Sequence, residues 1–221
     1  MDFGFIKDYS YYFINGTINT IIIAILTVLL GVIIGTILAM MKISKNSILK
    51  FIASAYIEFI RGTPLLVQIS IIYFSFSFPA FTIFGIEMSR FIPGVIAMSI
   101  NSGAYVAEII RAGIQAVDRG QMEAARSIGF TTGQAMKFII LPQAVRNILP
   151  ALGNEFVVVI KESSILSVIG IVELMRSADI VKTATYRPFA PLLVVAGIYF
   201  ILTFTLTRIL GVAERRMRTS D

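Results

Sequence analysis

The chain has no cysteine and no histidine among its 221 residues. Their absence removes disulfides, thiol nucleophiles, imidazole bases and the usual zinc sites in one step. Charge is scarce too. Only 14% of residues are charged and 57% are hydrophobic, whereas soluble domains average about 25% and about 45–50%. The scarcity is uneven: Thr17 to Met41 holds no charged residue. About twenty apolar residues cross a bilayer core, so this run reads as a transmembrane helix and the chain as an integral membrane protein. A phosphate-cradling G-x-x-x-x-G-K-[ST] loop is missing as well, so any ATP-driven work would need an ATPase on another polypeptide.

What charge there is has a pattern. The net charge is +6, but the cations sit beside apolar runs, which suits the positive-inside rule better than nucleic-acid binding. The first run is too long for a signal peptide and has no basic cluster before it. Lys42, Lys45 and Lys50 follow it, which places the N-terminus outside. About five spans are expected, near 17–41, 64–83, 91–115, 145–163 and 189–210. The expected inner segments then hold Lys42, Lys45, Lys50 and Arg61; Arg111, Arg119, Arg126, Lys137 and Arg146; and Arg208, Arg215, Arg216 and Arg218. The outer ones hold fewer: Lys7, Arg90, Arg176, Lys182 and Arg187. An odd span number with the C-terminus inside agrees with that bias. The 170–187 segment is its exception, with three outer cations beside Glu173 and Asp179.

Local signals divide the runs further. Gly31 and Gly35 form a G-x-x-x-G pair that lets a second helix come close. Residues 48–61 place Lys50, Ser54, Glu58 and Arg61 on one side and apolar residues over the rest, the split of a helix lying in a membrane surface. Gly62 should end it. Thr63 is expected as the next N-cap, with Pro64 at the first helical position. Asp118 and Gln121, and again Thr131 and Gln134, have capping-box spacing. Two short helices are therefore expected, near 119–128 and 132–141, with Gly129 at a left-handed stop and Pro142 ending the second. In this hairpin Ala124 and Ala125 would let a partner surface approach the backbone, Glu123 and Arg126 would fix its orientation, and Gly129 would set the turn. A short rigid helix held in a partner's groove can transmit a push.

Polar groups inside apolar runs are costly and point to function. The third span offers Asn101, Ser102, Tyr105 and Glu108, with 101, 105 and 108 on one helix face. The fourth offers Asn154 and Glu155, then Lys161 and Glu162. Glu155 lies amid apolar residues, and Lys161 falls on another face. Its carboxylate is therefore expected to face a central cavity and meet the positive group of a substrate.

The stretch Glu123-Ala124-Ala125-Arg126-Ser127-Ile128-Gly129, with Ile139-Ile140-Leu141-Pro142 nine residues on, resembles the cytoplasmic coupling loop of ABC importer membrane subunits. Tyr56 to Gln68 (Y-I-E-F-I-R-G-T-P-L-L-V-Q), Asn101 to Glu108 with Arg111-Ala112-Gly113, and Lys161-Glu162-Ser163-Ser164 resemble permeases for polar amino acids. The likeness runs from about residue 10 to 215. It implies an all-α integral membrane protein with the type I ABC importer permease fold, one permease domain over 1–221 and a coupling loop near 117–143. It also implies a homo- or heterodimer of permeases, a cytoplasmic ABC ATPase dimer and an extracytoplasmic amino-acid-binding protein, in a bacterial or archaeal cell membrane. The chain would catalyse no covalent step and hold no cofactor, ATP and Mg residing on the ATPase subunits. The expected cargo is a polar amino acid, with arginine, lysine or histidine as the first reading and glutamine or another polar amino acid as the alternative, contacted by Glu155, Asn154, Asn101, Ser102 and Tyr105. Residues Glu123, Ala124, Ala125, Arg126, Ser127 and Gly129 would contact the ATPase. The alternatives from other classes are a passive channel subunit, which would not need the hairpin, and a membrane-embedded enzyme, for which no nucleophile or metal cluster is present.

Overall fold

A backbone in lipid must satisfy its own hydrogen bonds, and an apolar run does so by coiling. The computed structural model, which describes residues 3–83 and 85–218, is accordingly helical over most of its length. A short α1 (Phe5–Asp8) leads into the long α2 (Ser10–Ile43). Next come α3 (Ser47–Gly62), α4 (Leu65–Ser75) and a small antiparallel hairpin of β1 (Thr82–Ile83) and β2 (Ile86–Glu87), in which Thr82 faces Glu87 and Ile83 faces Ile86. Helix α5 (Met88–Gln115), the short α6 (Arg119–Ser127) and α7 (Thr132–Ala135), and a π-helical turn (Met136–Ile140) lead into α8 (Leu141–Glu162). A 3₁₀ segment (Ser163–Ile169), α9 (Leu174–Thr185) and α10 (Ala190–Arg218) complete the chain. The side chains of Arg216 and Arg218, counted above among the inner cations, lie outside those described.

Helices α2 and α10 are each long and apolar enough to cross a membrane, and α3 with α4 passes the same test as one span bent by 105°. Helices α5 and α8 are interrupted by polar groups, several of which they bury: Ser99, Asn101, Ser102 and Glu155. These segments correspond to the five expected spans, with two changes. The second does not run to residue 83. Helix α4 stops at Ser75, and at about 1.5 Å per residue its eleven residues cover about half of a bilayer core. Pro79 follows within the apolar run and cannot continue a helix. The fourth begins at Leu141 rather than 145. Pro142 does not end the preceding helix; the helical run passes through it, and the π-helical turn Met136–Ile140 just before it is where the regular ladder is interrupted.

Small residues set the packing. Gly31 lies against Ser102 and Gly35 against Val106, so α2 and α5 run parallel in close contact. A Cβ on Gly35 would come within 2.6 Å of Val106 Cγ1. Helix α8 and the 3₁₀ segment after it return antiparallel to α5, with Gly113 against Ile148 of α8 at one end and Gly94 against Leu166 and Ile171, beyond α8, at the other. The main core joins Ile23, Ile69, Met98, Ile160 and Leu166 from five segments. Outward residues of α2, such as Leu29, Ile33 and Ile37, are more than half exposed, as a lipid-facing side requires.

The bundle has two distinct ends. At one, Gly16 meets Ser177 and the Leu174 N–H donates to Thr20 Oγ1 at 3.2 Å, so α9 packs on the first turns of α2. At the other, the last turns of α2 and α5 lead to the α6–α7 hairpin.

Candidate transport path and coupling hairpin

The α6–α7 hairpin is built by its caps. The Asp118 carboxylate accepts from the Gly120 N–H at 2.7 Å. Gln121 does not reciprocate as the capping-box spacing suggested; its side chain accepts from Gln143 of α8 instead, at 3.3 Å. Gly129 takes the left-handed conformation at φ +95. The Phe130 N–H reaches the Ala125 carbonyl and the Gly129 N–H reaches the Arg126 carbonyl, each at 3.1 Å, which is a Schellman stop. Thr131 and Gln134 form the reciprocal capping box. The π-helical turn then passes into α8 without a break, so hairpin and α8 share one continuous backbone.

The hairpin's expected contact residues divide in two. Glu123, Ala124, Arg126, Ser127 and Gly129 are exposed, and so is Ile128, which the sequence reading had not singled out. Ala125 is 1% exposed and packs inside the chain. Of the two alanines, only Ala124 is open to a partner. Arg126 is held by its own turn, donating to the Phe130 carbonyl at 2.9 Å.

The polar residues of α5 and α8 form separate pairs. Ser102 Oγ donates to Glu155 Oε1 at 2.8 Å, and Glu155 is 8% exposed. Among the described residues no cation is paired with it. The carboxylate therefore turns into the bundle between α5 and α8, and a substrate reaches it only if those helices part or the side chain swings out. Asn154, its neighbour, is exposed. Asn101 is buried and donates to Gln68 Oε1 of α4 at 3.0 Å. Tyr105 lies under the Arg61 guanidinium, 5.3 Å from ring centroid to Cζ.

Glu108 keeps its place on the helix face shared with Asn101 and Tyr105, but its carboxylate is taken up by cations. It bridges Lys42 of α2 and Arg111 of its own helix, and Arg111 goes on to Gln115 at 2.6 Å. That cluster ties the ends of α2 and α5 near the hairpin instead of lining a path with Asn101 and Tyr105. Lys161 makes no pair with Glu155, as its spacing predicts.

Two residues escaped the sequence reading. Gln68 is an amide within an otherwise apolar run, a signal that was there to read. Glu173 stood among charges that looked solvated, yet it is fully buried. Its carboxylate accepts from the Met175 and Arg176 N–H groups at 2.8 and 2.7 Å and from the Tyr199 hydroxyl at 3.0 Å. Burial pushes it up to about 7 against the pull of those three donors.

Residues 31–219 match the family described as the inner membrane component of binding-protein-dependent transport systems. The chain belongs to this family. A Rickettsia conorii protein with the provisional name glutamine transport system permease protein GlnP is 46% identical over 94% of this chain and 93% of its own. The Bacillus subtilis arginine transport system permease protein ArtQ is 42% identical over 84% and 83%. A crystal structure of an amino acid ABC transporter with histidines is 51% identical, covers 98% of this chain and 99% of that one, and superposes with a TM-score of 0.90. The inward-facing MetNI methionine ABC transporter shares the fold at 16% identity, with a TM-score of 0.75. This permease therefore has the type I ABC importer fold and is an amino acid ABC transporter permease, a transport subunit of a membrane.

Proposed function

We propose that this chain, as one permease domain, forms the path of an ATP-driven importer whose cargo is the basic amino acids arginine, lysine and histidine. The observation that carries the cargo class is Glu155, a buried carboxylate held by one hydroxyl and paired with no cation of the described residues. Burying an uncompensated carboxylate is expensive, and a cationic substrate would supply the missing charge. Ser102 would orient it, and Asn101, Asn154 and Tyr105 would contribute polar contacts around it.

The exposed face of α6, with Glu123, Ala124, Arg126, Ser127 and Gly129, docks on a cytoplasmic ABC ATPase dimer that holds ATP and Mg. Closure of that dimer moves the hairpin, and the unbroken run into α8 carries the motion to Glu155. The hairpin end then lies in the cytoplasm, α9 and the N-terminus lie outside, and α9 faces an extracytoplasmic binding protein. A second permease, identical or homologous, completes the path in a bacterial or archaeal cell membrane.

Glutamine is the second reading, favoured by the provisional glutamine name of the Rickettsia relative. The α-ammonium that every amino acid carries could answer Glu155 equally well. The deciding experiment reconstitutes the permease with its ATPase and binding protein in vesicles and scans amino acids for stimulated ATP hydrolysis. Stimulation by a basic amino acid, lost in Glu155→Gln, supports the first reading. Stimulation by glutamine alone removes it, and no stimulation by any amino acid removes the importer reading altogether.

A further inference from the structure

The bend between α3 and α4 creates a problem that one side chain solves. When α3 stops at Gly62 its last carbonyls lose their helical donors. The chain runs extended through Thr63 and Pro64 before α4 begins. Proline has no N–H to offer, and Thr63 turns its hydroxyl back to the Phe59 carbonyl at 3.0 Å. Gln68, one turn into α4 and 6% exposed, reaches back across the bend. Its Nε2 donates to the Ile60 carbonyl at 2.7 Å, with the Thr63 carbonyl at 3.1 Å and Thr63 Oγ1 at 2.9 Å sharing its second hydrogen.

The other end of the same amide faces the path. Gln68 Oε1 accepts from Asn101 Nδ2 at 3.0 Å. Asn101 is next in sequence to Ser102, which holds Glu155. Two more contacts join the elbow to this stretch of α5: the Tyr56 hydroxyl donates to the Ile100 carbonyl at 2.8 Å, and Arg61 covers Tyr105. Below them Ile57 and Ile60 pack with Ala104 and Ala107. The elbow thus grips α5 over residues 100–107 through one buried amide, one hydroxyl, one cation–π contact and an apolar patch.

We propose that Gln68 is a positioning residue for transport: its amide locks the α3–α4 elbow and holds the Asn101 amide, so that elbow and path wall move as one body. Resting on the importer reading, this assigns Gln68 no contact with cargo. With one Asn101 N–H engaged by Gln68, the second N–H and the carbonyl are fixed in direction. A glutamine is needed because it must donate on one side and accept on the other; glutamate cannot donate to Ile60, and leucine does neither.

The test is a double-mutant cycle of Gln68→Leu and Asn101→Leu in the complex reconstituted with its ATPase and binding protein. The readout is the ratio of substrate-stimulated to basal ATP hydrolysis. Each single variant should lower that ratio about tenfold, and the double variant should lower it no further, because both break one link. Losses that multiply, or a Gln68→Leu ratio equal to wild type, overturn the proposal. The same cycle read in thermal unfolding of the detergent-solubilised subunit needs no substrate; non-additive shifts are expected, and additive ones would deny the link. A wild-type complex that no amino acid stimulates would sink the importer reading and leave this second cycle to decide on the latch. A further measurement leaves the Gln68–Asn101 pair intact. The chain has no cysteine of its own, so Tyr56→Cys with Ile100→Cys can be bridged by a cleavable thiol cross-linker. Transport by that variant should be the same before and after linking. Linking that stops transport, with recovery on cleavage, would show the elbow swinging against α5 and overturn the proposal.

Discussion

Ser102 of α5 and Glu155 of α8 are joined by a 2.8 Å hydrogen bond; a longer polar contact between the same helices runs from Asn147 Nδ2 to the Gly113 carbonyl at 3.4 Å. Ser102 is 2% exposed and Glu155 8%. Gly31 leaves room for it: a Cβ there would lie 2.9 Å from Ser102 Oγ, so a larger residue on the first span would crowd the hydroxyl that holds an acid on the fourth.

Removing the hydroxyl should expose its value. Ser102→Ala leaves a buried acceptor without its partner, which costs about 1–3 kcal/mol. In a Glu155→Met background the same substitution should cost little, since no carboxylate remains to satisfy. Thermal unfolding of the solubilised subunit measures both. Equal losses in the two backgrounds would mean that the bond contributes nothing.

Glu173 gives a pH signature. Its carboxyl is pushed up to about 7 from an ordinary 4.5. The folded chain therefore holds a proton that the unfolded chain has released between those values. Stability is greatest below the unfolded value, falls as pH rises through the window, and levels off above about 7. A shift of that size corresponds to at most about 3 kcal/mol. The melting temperature should drop between pH 5 and pH 8, and Glu173→Gln should flatten that drop relative to wild type. The comparison with wild type isolates this group from other acids such as Asp179 on the same helix. A parallel pH profile in the variant would place the titration elsewhere.

The glycines of α2 and α10 predict opposite outcomes for one substitution. At Gly35 a methyl would meet Val106 Cγ1 at 2.6 Å and the Ala107 nitrogen at 2.9 Å. Backbone cannot move aside cheaply, so Gly35→Ala should destabilise by about 1–3 kcal/mol. At Gly211 nothing lies within 4 Å, and Gly211→Ala should gain up to about 1 kcal/mol of helix propensity. A Gly35→Ala subunit that melts with wild type would show that α2 and α5 can part without cost.

These cases also mark what could be read before the fold was known. The coupling hairpin was legible because its signals are local: a threonine three residues before a glutamine, a glycine at the stop, charges between apolar runs. The elbow was half legible. Gly62 and Pro64 announce the bend, but apolarity alone carried the second span through Phe76 to Ile83, past the point where Pro79 ends any helix. Pro142 misled for the reverse reason, since a proline that closes a helix and one that a helix passes by way of a π-helical turn look alike in sequence. Glu173 was hidden because its partner Tyr199, and Thr20, which accepts from the neighbouring Leu174 N–H, lie far away along the chain. The pairing of Asn101 with Gln68 and of Ser102 with Glu155 needed helix rotations that no single run supplies.

The two alanines of the hairpin separate folding from docking. Ala124 is exposed and Ala125 is 1% exposed. Ala124→Leu adds bulk only on the outside, so the solubilised subunit should keep its stability to within about 0.5 kcal/mol. Association with the ATPase should be lost, because a close backbone approach is blocked. Ala125→Leu forces a larger side chain into a filled site, which should cost about 1–3 kcal/mol and weaken association only as a consequence. Melting temperature and co-purification of the ATPase, measured on the same samples, distinguish the two. If Ala124→Leu retains the ATPase at wild-type yield, the exposed face of α6 is not where the ATPase docks, and the apolar Ile128 and Phe138 nearby become the next surface to test.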